Sequence, residues 1–268
     1  MDRDNRTIVK NLAIAAKRLE LDHDSTVLAV GASELDVELL RAIGFSKIVT
    51  SNLDGFQGHQ PLDLEELALA DESYDIVFAH AVLHHCRSPH KAAGEMARVC
   101  RRCAIFIEPN ESTLMRILTL FRFSFPYEIG AVSTNNYVRG GMRNGPIPNF
   151  IYRWNPNKLL KTISTYIPER VWSQESRSYW DFFITEIDLK WRKQTRLGGI
   201  SDFIGPSRFI YLLQLLQKLM NTVPIIRSQG NKFMGVAVKG RHHPWIDFSH
   251  GEPRLAKKPE LYGEPIYF

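Results

Sequence analysis

Four short segments combine residue types and spacings suited to holding a nucleoside. The first, Val27-Leu-Ala-Val-Gly31-Ala32-Ser33, is an apolar run that ends in three small residues. Small residues let a backbone turn sharply and approach a ligand, and the start of a following helix offers free N–H groups. The second, Thr50-Ser-Asn52-Leu-Asp54, places an acid about 20 positions beyond the glycine, where a carboxylate can accept from both ribose hydroxyls. Asp54 is favoured over Asn52 for that role, because only a carboxylate accepts twice without reorienting. The third, Asp63-Leu64-Glu65, sets a side-chain acceptor where an adenine amino group would lie. The fourth, His80-Ala81-Val-Leu-His84-His85, brings imidazoles, whose ordinary pKa suits proton transfer near neutral pH.

These segments need strands that end beside one another. Short apolar runs at 26–30, 47–51, 74–78, 104–107 and 233–238 read as buried strands. Helical spacing at 6–20, 34–43, 90–100, 111–127, 157–166 and 206–220 reads as helices, with Gly44 a natural stop and Pro206 a natural start. Strand and helix alternate in units of about 25–30 residues, which predicts an α/β, Rossmann-like doubly wound sheet with helices on both faces. Ligands then bind beyond the carboxyl ends of the strands, where all four segments fall.

In that order, the segments resemble the class I S-adenosylmethionine-dependent methyltransferases, specifically the methyltransferase type 11-like domain. The match is carried by Asp63 to His85, in which Asp71-Glu-Ser-Tyr-Asp-Ile-Val77 is the fourth strand and a Val82-Leu-His-His85 helix follows, and by Glu95 to Asn110. It runs from about residue 6 to 110, with Lys232 to Lys239 similar to the family's last strand. The resemblance implies a mostly parallel seven-stranded sheet with an antiparallel last strand and a helical or loop cap. It implies one domain over 1–240, an acceptor-binding cap over about 111–155, and an extended tail over 241–268. S-adenosylmethionine is the implied cofactor and S-adenosylhomocysteine the product, held by Gly31, Ala32, Ser33, Asn52, Asp54, Asp63, Leu64, His80 and Ala81. The chain departs from the family pattern in the first loop. Ala29 replaces the usual acid of strand one, while Ser33 and Leu35 stand at the later glycine positions.

Methyl transfer is an in-line displacement, so positioning dominates and a base is needed only for a hydroxyl or acidic-carbon acceptor. His80 and Glu108, each at a strand end, are the candidate catalytic residues. His84, Tyr137, Arg139, Arg143 and Trp154 are candidate acceptor contacts, with Gly140–Gly141 as a hinge, and they suit an anionic, sugar-like or planar molecule. No metal is expected. Adjacent histidines on a helix point apart, so a set drawn from His84, His85, Cys86 and His90 is awkward, and Cys100 and Cys103 lack the second pair a structural zinc needs.

Composition narrows the field further. The formal charge of +5 comes from basic residues scattered among acidic ones, which argues against a nucleic-acid track. No uninterrupted apolar stretch is long enough to span a bilayer, and the N-terminus reads as a surface helix and not a signal peptide, so a cytoplasmic protein is expected. The segments 114–125 and 209–220 are apolar enough to rest on a membrane surface. The absent G-x-G-x-x-G fingerprint argues against a nicotinamide dehydrogenase. The reading is therefore a methyltransferase for a small-molecule acceptor, such as a glycan or secondary-metabolite intermediate. The alternative is a catalytically silent binding or assembly module, which the thinned glycine loop supports.

Overall fold

A computed structural model describes residues 5–182, 189, 196–242, 245–247, 251–255 and 266–267. Helix α1 (Asn5–Arg18) leads into strand β1 (Val27–Val30), helix α2 (Glu34–Ala42), strand β2 (Ile48–Asn52) and the two-residue β3 (Gln60–Pro61). Strand β4 (Tyr74–His80), helix α3 (Pro89–Val99) and strand β5 (Cys100–Pro109) follow. Helices α4 (Thr113–Leu120), α5 (Ile129–Thr134) and α6 (Pro156–Tyr166) precede strand β6 (Arg170–Tyr179). Helices α7 (Arg196–Ile204), α8 (Pro206–Thr222) and α9 (Pro224–Ser228) lead to strand β7 (Lys232–His242).

The sheet order is β3-β2-β1-β4-β5-β7-β6. Strands β1 to β5 run parallel and β7 lies antiparallel to both β5 and β6. The expected seven strands are therefore present, and an eighth, β10 (Ile266–Tyr267), pairs with β6. A small antiparallel pair, β8 (Ile246–Asp247) and β9 (Arg254–Leu255), stands apart, and the rest of the 241–268 tail lies largely outside the described residues.

Strand alternation builds the core. Val27, Ala29, Ile76, Phe78, Cys103, Ile105, Ile107, Met234 and Val236 pack with Leu12 of α1 and Leu39 and Leu40 of α2 on one face. Leu28, Val30, Val77, Ala79, Ala104, Phe106, Phe233 and Ala237 pack with Met96 of α3 and Leu159 and Ile163 of α6 on the other. Each strand thus feeds two faces, which is why these strands read as unbroken apolar runs. Cys100 and Cys103 fall in these opposite clusters, both buried and free, and burial pushes the Cys100 thiol up to about 12.

Several elements differ from the sequence reading. Strand β6, which no apolar run announced, buries Gln174 and Glu175 beside Trp172. The helix expected over 111–127 stops at Leu120, where Arg122 turns left-handed at φ +59° and the Arg122 and Phe123 N–H groups cap the carbonyls of Thr119 and Leu118. The helix after β4 is a single 3-10 turn, Leu83–His85.

The stretch before β4 is held by one polar cluster. Arg98 donates to the carbonyls of Leu67 and Leu69 and to Asp71, and is paired twice with Glu95. Glu95, itself buried, accepts from the Leu67 N–H and the Tyr166 hydroxyl. Arg98→Ala should therefore lower unfolding stability by about 2 kcal/mol, since charge-assisted hydrogen bonds are lost together. Urea titration checks this, and a change below about 0.5 kcal/mol would contradict it.

Candidate active site

The carboxyl ends of β1, β2 and β4 open onto a cavity of about 410 Å³. Gly31, Ala32, Ser33, Asn52, Leu53, Asp63, Leu64, Ala81 and Val82 line its sheet side, and Arg139, Gly140, Arg143 and Asn144 close it from the cap. Most of the expected cofactor residues are thus gathered around one space.

The backbone there is strained where it must come close. Gly31 has φ +58° and Ala81 φ +54°, both in the left-handed region. A Cβ on Gly31 would lie 2.1 Å from Val82 Cγ2, so the turn after β1 is fitted to a side chain of the turn after β4. Ser33 shows how the loop does without its later glycines. Its N–H and hydroxyl both donate to Asp36 Oδ2 at 2.7 Å, and Asp36 Oδ1 lies 2.8 Å from His80 Nδ1. Burial works to raise the Asp36 pKa, but the bond and charge of His80, then the Ser33 bonds, hold it below the usual carboxylate range.

His80 thus ties α2 to the end of β4, and it is not among the residues that line the cavity. Glu108 is turned inward as well. It is fully buried, accepts from the N–H groups of Val82 and Leu83 at 2.9 and 2.8 Å, and meets His84 Nδ1 at 2.8 Å. These two residues shape the loop after β4 rather than facing the space.

The ribose-side residues divide. Asn52 lines the cavity, donates through Nδ2 to the Phe56 carbonyl at 2.9 Å, and leaves Oδ1 buried with no partner. Asp54 is exposed at the margin, where it accepts from the Phe56 N–H and from Asn144 Nδ2 at 3.0 Å. Asp63 accepts from the Glu65 N–H through one oxygen and from Arg143 through the other at 2.9 Å. Burial works to raise its pKa, but Arg143 and the Glu65 N–H hold its carboxyl below the ordinary range.

Cap residues reach the site through the 139–144 loop. Arg139 stacks over the Phe56 ring at 3.8 Å with its Nη1 buried and unpartnered. The Gly140–Gly141 stretch is pinned: the Gly140 N–H donates to Asn144 Oδ1 and the Gly141 N–H to the Gly145 carbonyl. Tyr137 is exposed and Trp154 is fully buried against His90 and Tyr152, and neither is among the cavity residues. His84 is buried behind the cavity. Burial works against its charged form, but Glu108 and then Glu128 raise its pKa to about 9.

Glu128, Phe56 and Asn144 escaped the sequence reading. Glu128 approaches from the cap to within 3.1 Å of His84 and 3.2 Å of His85, a contact 44 residues apart that no local spacing signals. Asn144 and Phe56 sit in irregular loops, where only the asparagine and glycine content of 140–145 hints at a built turn.

Residues 14–107 match the family model described as a methyltransferase domain. No curated relative matches the chain. Among solved structures, the chain is similar to one from the complex of the Haloferax volcanii Trm112 methyltransferase activator with a methyltransferase. That likeness has 14% identity and a TM-score of 0.48, over 90% of this chain and 95% of the other. It is also similar to Haemonchus contortus phosphoethanolamine N-methyltransferase 2 in complex with S-adenosyl-L-methionine, at 14% identity and TM-score 0.46, over 86% of this chain and 53% of that one. A third likeness, to Synechocystis magnesium protoporphyrin IX methyltransferase with bound S-adenosylhomocysteine, has 14% identity and TM-score 0.39, over 61% and 73% of the two chains.

Proposed function

We propose, from the match of residues 14–107 to a methyltransferase domain, that this chain transfers the methyl group of S-adenosylmethionine to a small-molecule acceptor held under the 139–144 loop. The observation that supports this most directly is the Asn52 Oδ1 atom, buried on the cavity without a donor. A buried acceptor left bare costs about 1–3 kcal/mol, and a ribose hydroxyl donating to it would remove that cost. Asn52 ends strand β2, at the place where a class I domain meets the ribose. The Gly31–Ser33 turn would take the polar tail, and Asp63 with Leu64 would take the base.

The cofactor supplies an activated methyl group on a positively charged sulfur. The chain's own work is to hold the acceptor about 3–3.5 Å from that carbon and to exclude water, which can contribute roughly 7–11 kcal/mol. Arg139 supports an acceptor with a carboxylate or phosphate, because its buried Nη1 needs a partner and lies on the same space. In this reading 1–240 is the catalytic unit, 111–155 is the acceptor cap, and 241–268 is a tail.

Thermal unfolding with and without S-adenosylhomocysteine tests the reading. At 100 times its Kd the ligand should stabilise by about 2.7 kcal/mol, a rise of roughly 5–10 °C. NAD should give none. Asn52→Ala should weaken the ligand by about 1 kcal/mol, near fivefold in Kd. No shift at millimolar S-adenosylhomocysteine would sink the proposal and leave the silent-module reading in its place.

A further inference from the structure

Behind the cavity, the turn after β4 and the cap converge on one point. His84 Nε2 lies 3.1 Å from Glu128 Oε2, and His85 Nε2 lies 3.2 Å from the same oxygen. The two imidazole rings stand 4.6 Å apart by their centroids. Both histidines lie on the short turn Leu83–His85 that follows β4. Cys86 and His90 do not join them: His90 bonds Thr162 and Tyr152 instead.

We propose that His84 Nε2, His85 Nε2 and a Glu128 oxygen form a binding site for a first-row divalent cation, at the edge of the cavity and under the cap. Three observations carry this. The first is spacing. Ligands about 2.1 Å from one ion stand about 3.0–3.4 Å apart in octahedral or tetrahedral geometry, and both measured nitrogen–oxygen distances fall there. The second is the support behind each imidazole. His84 Nδ1 faces Glu108 Oε2 at 2.8 Å and His85 Nδ1 faces the Gly141 carbonyl at 3.2 Å, so each Nδ1–H has an acceptor and each Nε2 is turned to the common point. Metal-ligating histidines are oriented in this way, by a carboxylate or carbonyl on the far nitrogen. Glu108 is itself fixed by the Val82 and Leu83 N–H groups, and Glu128 by Asn149 Nδ2 at 3.4 Å.

The third is charge. With the metal-facing nitrogens free of protons, as ligation requires, the two imidazoles and the carboxylates of Glu108 and Glu128 sum to −2, which a divalent cation cancels. The ion has a way in, because the Glu128 and His85 side chains are 33% and 22% exposed while His84 is only 2%. Two imidazoles and one carboxylate, with the remaining positions open, suit zinc, iron, cobalt or manganese better than magnesium or calcium. The site stands on its own geometry. Its role rests on the methyl-transfer reading: an acceptor oxygen bound at an open position would lose its proton more readily, which prepares it for attack on the methyl carbon.

The test uses the full chain, stripped with a chelator and titrated with Co²⁺, whose visible d–d absorption reports ligand geometry. One Co²⁺ per chain is expected, with the absorption developing to saturation and Zn²⁺ displacing it. Glu128→Gln and His85→Asn should each abolish saturable binding. Both side chains are partly exposed, so these variants should still melt cooperatively, and that melting is measured alongside. Glu108→Gln should weaken Co²⁺ binding by about 10–100-fold. Failure of wild-type protein to saturate, or unchanged binding in both ligand variants, overturns the site. The S-adenosylhomocysteine melting shift of the stripped protein is measured separately, so a lost cofactor and a lost metal give different results.

Discussion

Replacing Gly31 with alanine is expected to abolish the melting shift produced by S-adenosylhomocysteine and to lower the melting temperature of the free protein. Two penalties meet at this residue. The φ of +58° costs an L-residue about 1–2 kcal/mol. The added Cβ also falls 2.1 Å from Val82 Cγ2 and 2.9 Å from Val82 Cβ. Overpacking of that kind costs typically 1–3 kcal/mol. The two together imply a drop of roughly 5–15 °C for a domain of this size. Val82 shares its turn with Ala81, whose own φ of +54° leaves little freedom to yield, so the strain should pass into the cavity wall. The double variant Gly31→Ala/Val82→Ala separates the terms. It should relieve the overlap with Cγ2 but neither the close approach to the Cβ nor the dihedral cost, and so regain only part of the lost stability. A Gly31→Ala protein with undiminished ligand response would show that the turn does not touch the ligand.

The second large effect is expected at Glu108. Its substitution by alanine strands three donors at once: the Val82 and Leu83 N–H groups and the Nδ1 side of His84, whose Nε2 keeps Glu128. Removing one partner of a buried ion pair costs about 3–5 kcal/mol, because the other is left uncompensated. Calorimetry should therefore show a fall of roughly 6–20 °C. Glu108→Gln keeps an acceptor for the backbone and should fall by less than half as much. Equal losses in the two variants would mean that volume, not hydrogen bonding, explains the residue. The contrast also separates a supporting role from a catalytic one: a residue that only shapes the loop costs stability first, and activity in proportion.

Much of the sheet was legible because parallel strands are buried on both faces and leave unbroken apolar runs. Val27 to Val30 and Ile76 to Ala79 are of this kind, and both were read correctly. Strand β6 was missed for the complementary reason. Among the described residues it pairs only with β7 and the two-residue β10, and it carries Ser173, Gln174, Glu175, Ser176 and Arg177 where an interior strand would carry valines. Gly31, Asn52, Asp63 and Leu64 meet at the cavity because β1, β2 and β3 end beside one another, although the short β3 was not read from the sequence and Asp54 was preferred to Asn52. His80 and Glu108 follow strands too, yet their side chains turn to Asp36 and His84. Spacing places a Cα and does not choose a rotamer. Likewise, the pairing of His84 with Glu128 depends on how the cap folds back, which no stretch of sequence near either residue encodes.

The polar grip of the 139–144 loop has a kinetic consequence. Arg143 already occupies Asp63, on the base side of the proposed cofactor site, and Asn144 holds Asp54 at its margin. The loop is therefore a tethered competitor for the same acceptor atoms, always present at high effective concentration. A ligand arriving there exchanges partners with the loop and keeps only the difference in free energy, which favours turnover over tight retention. The exchange also releases the two cap side chains at the moment the first molecule settles. An order follows: cofactor first, then acceptor, against residues that the cofactor has set free.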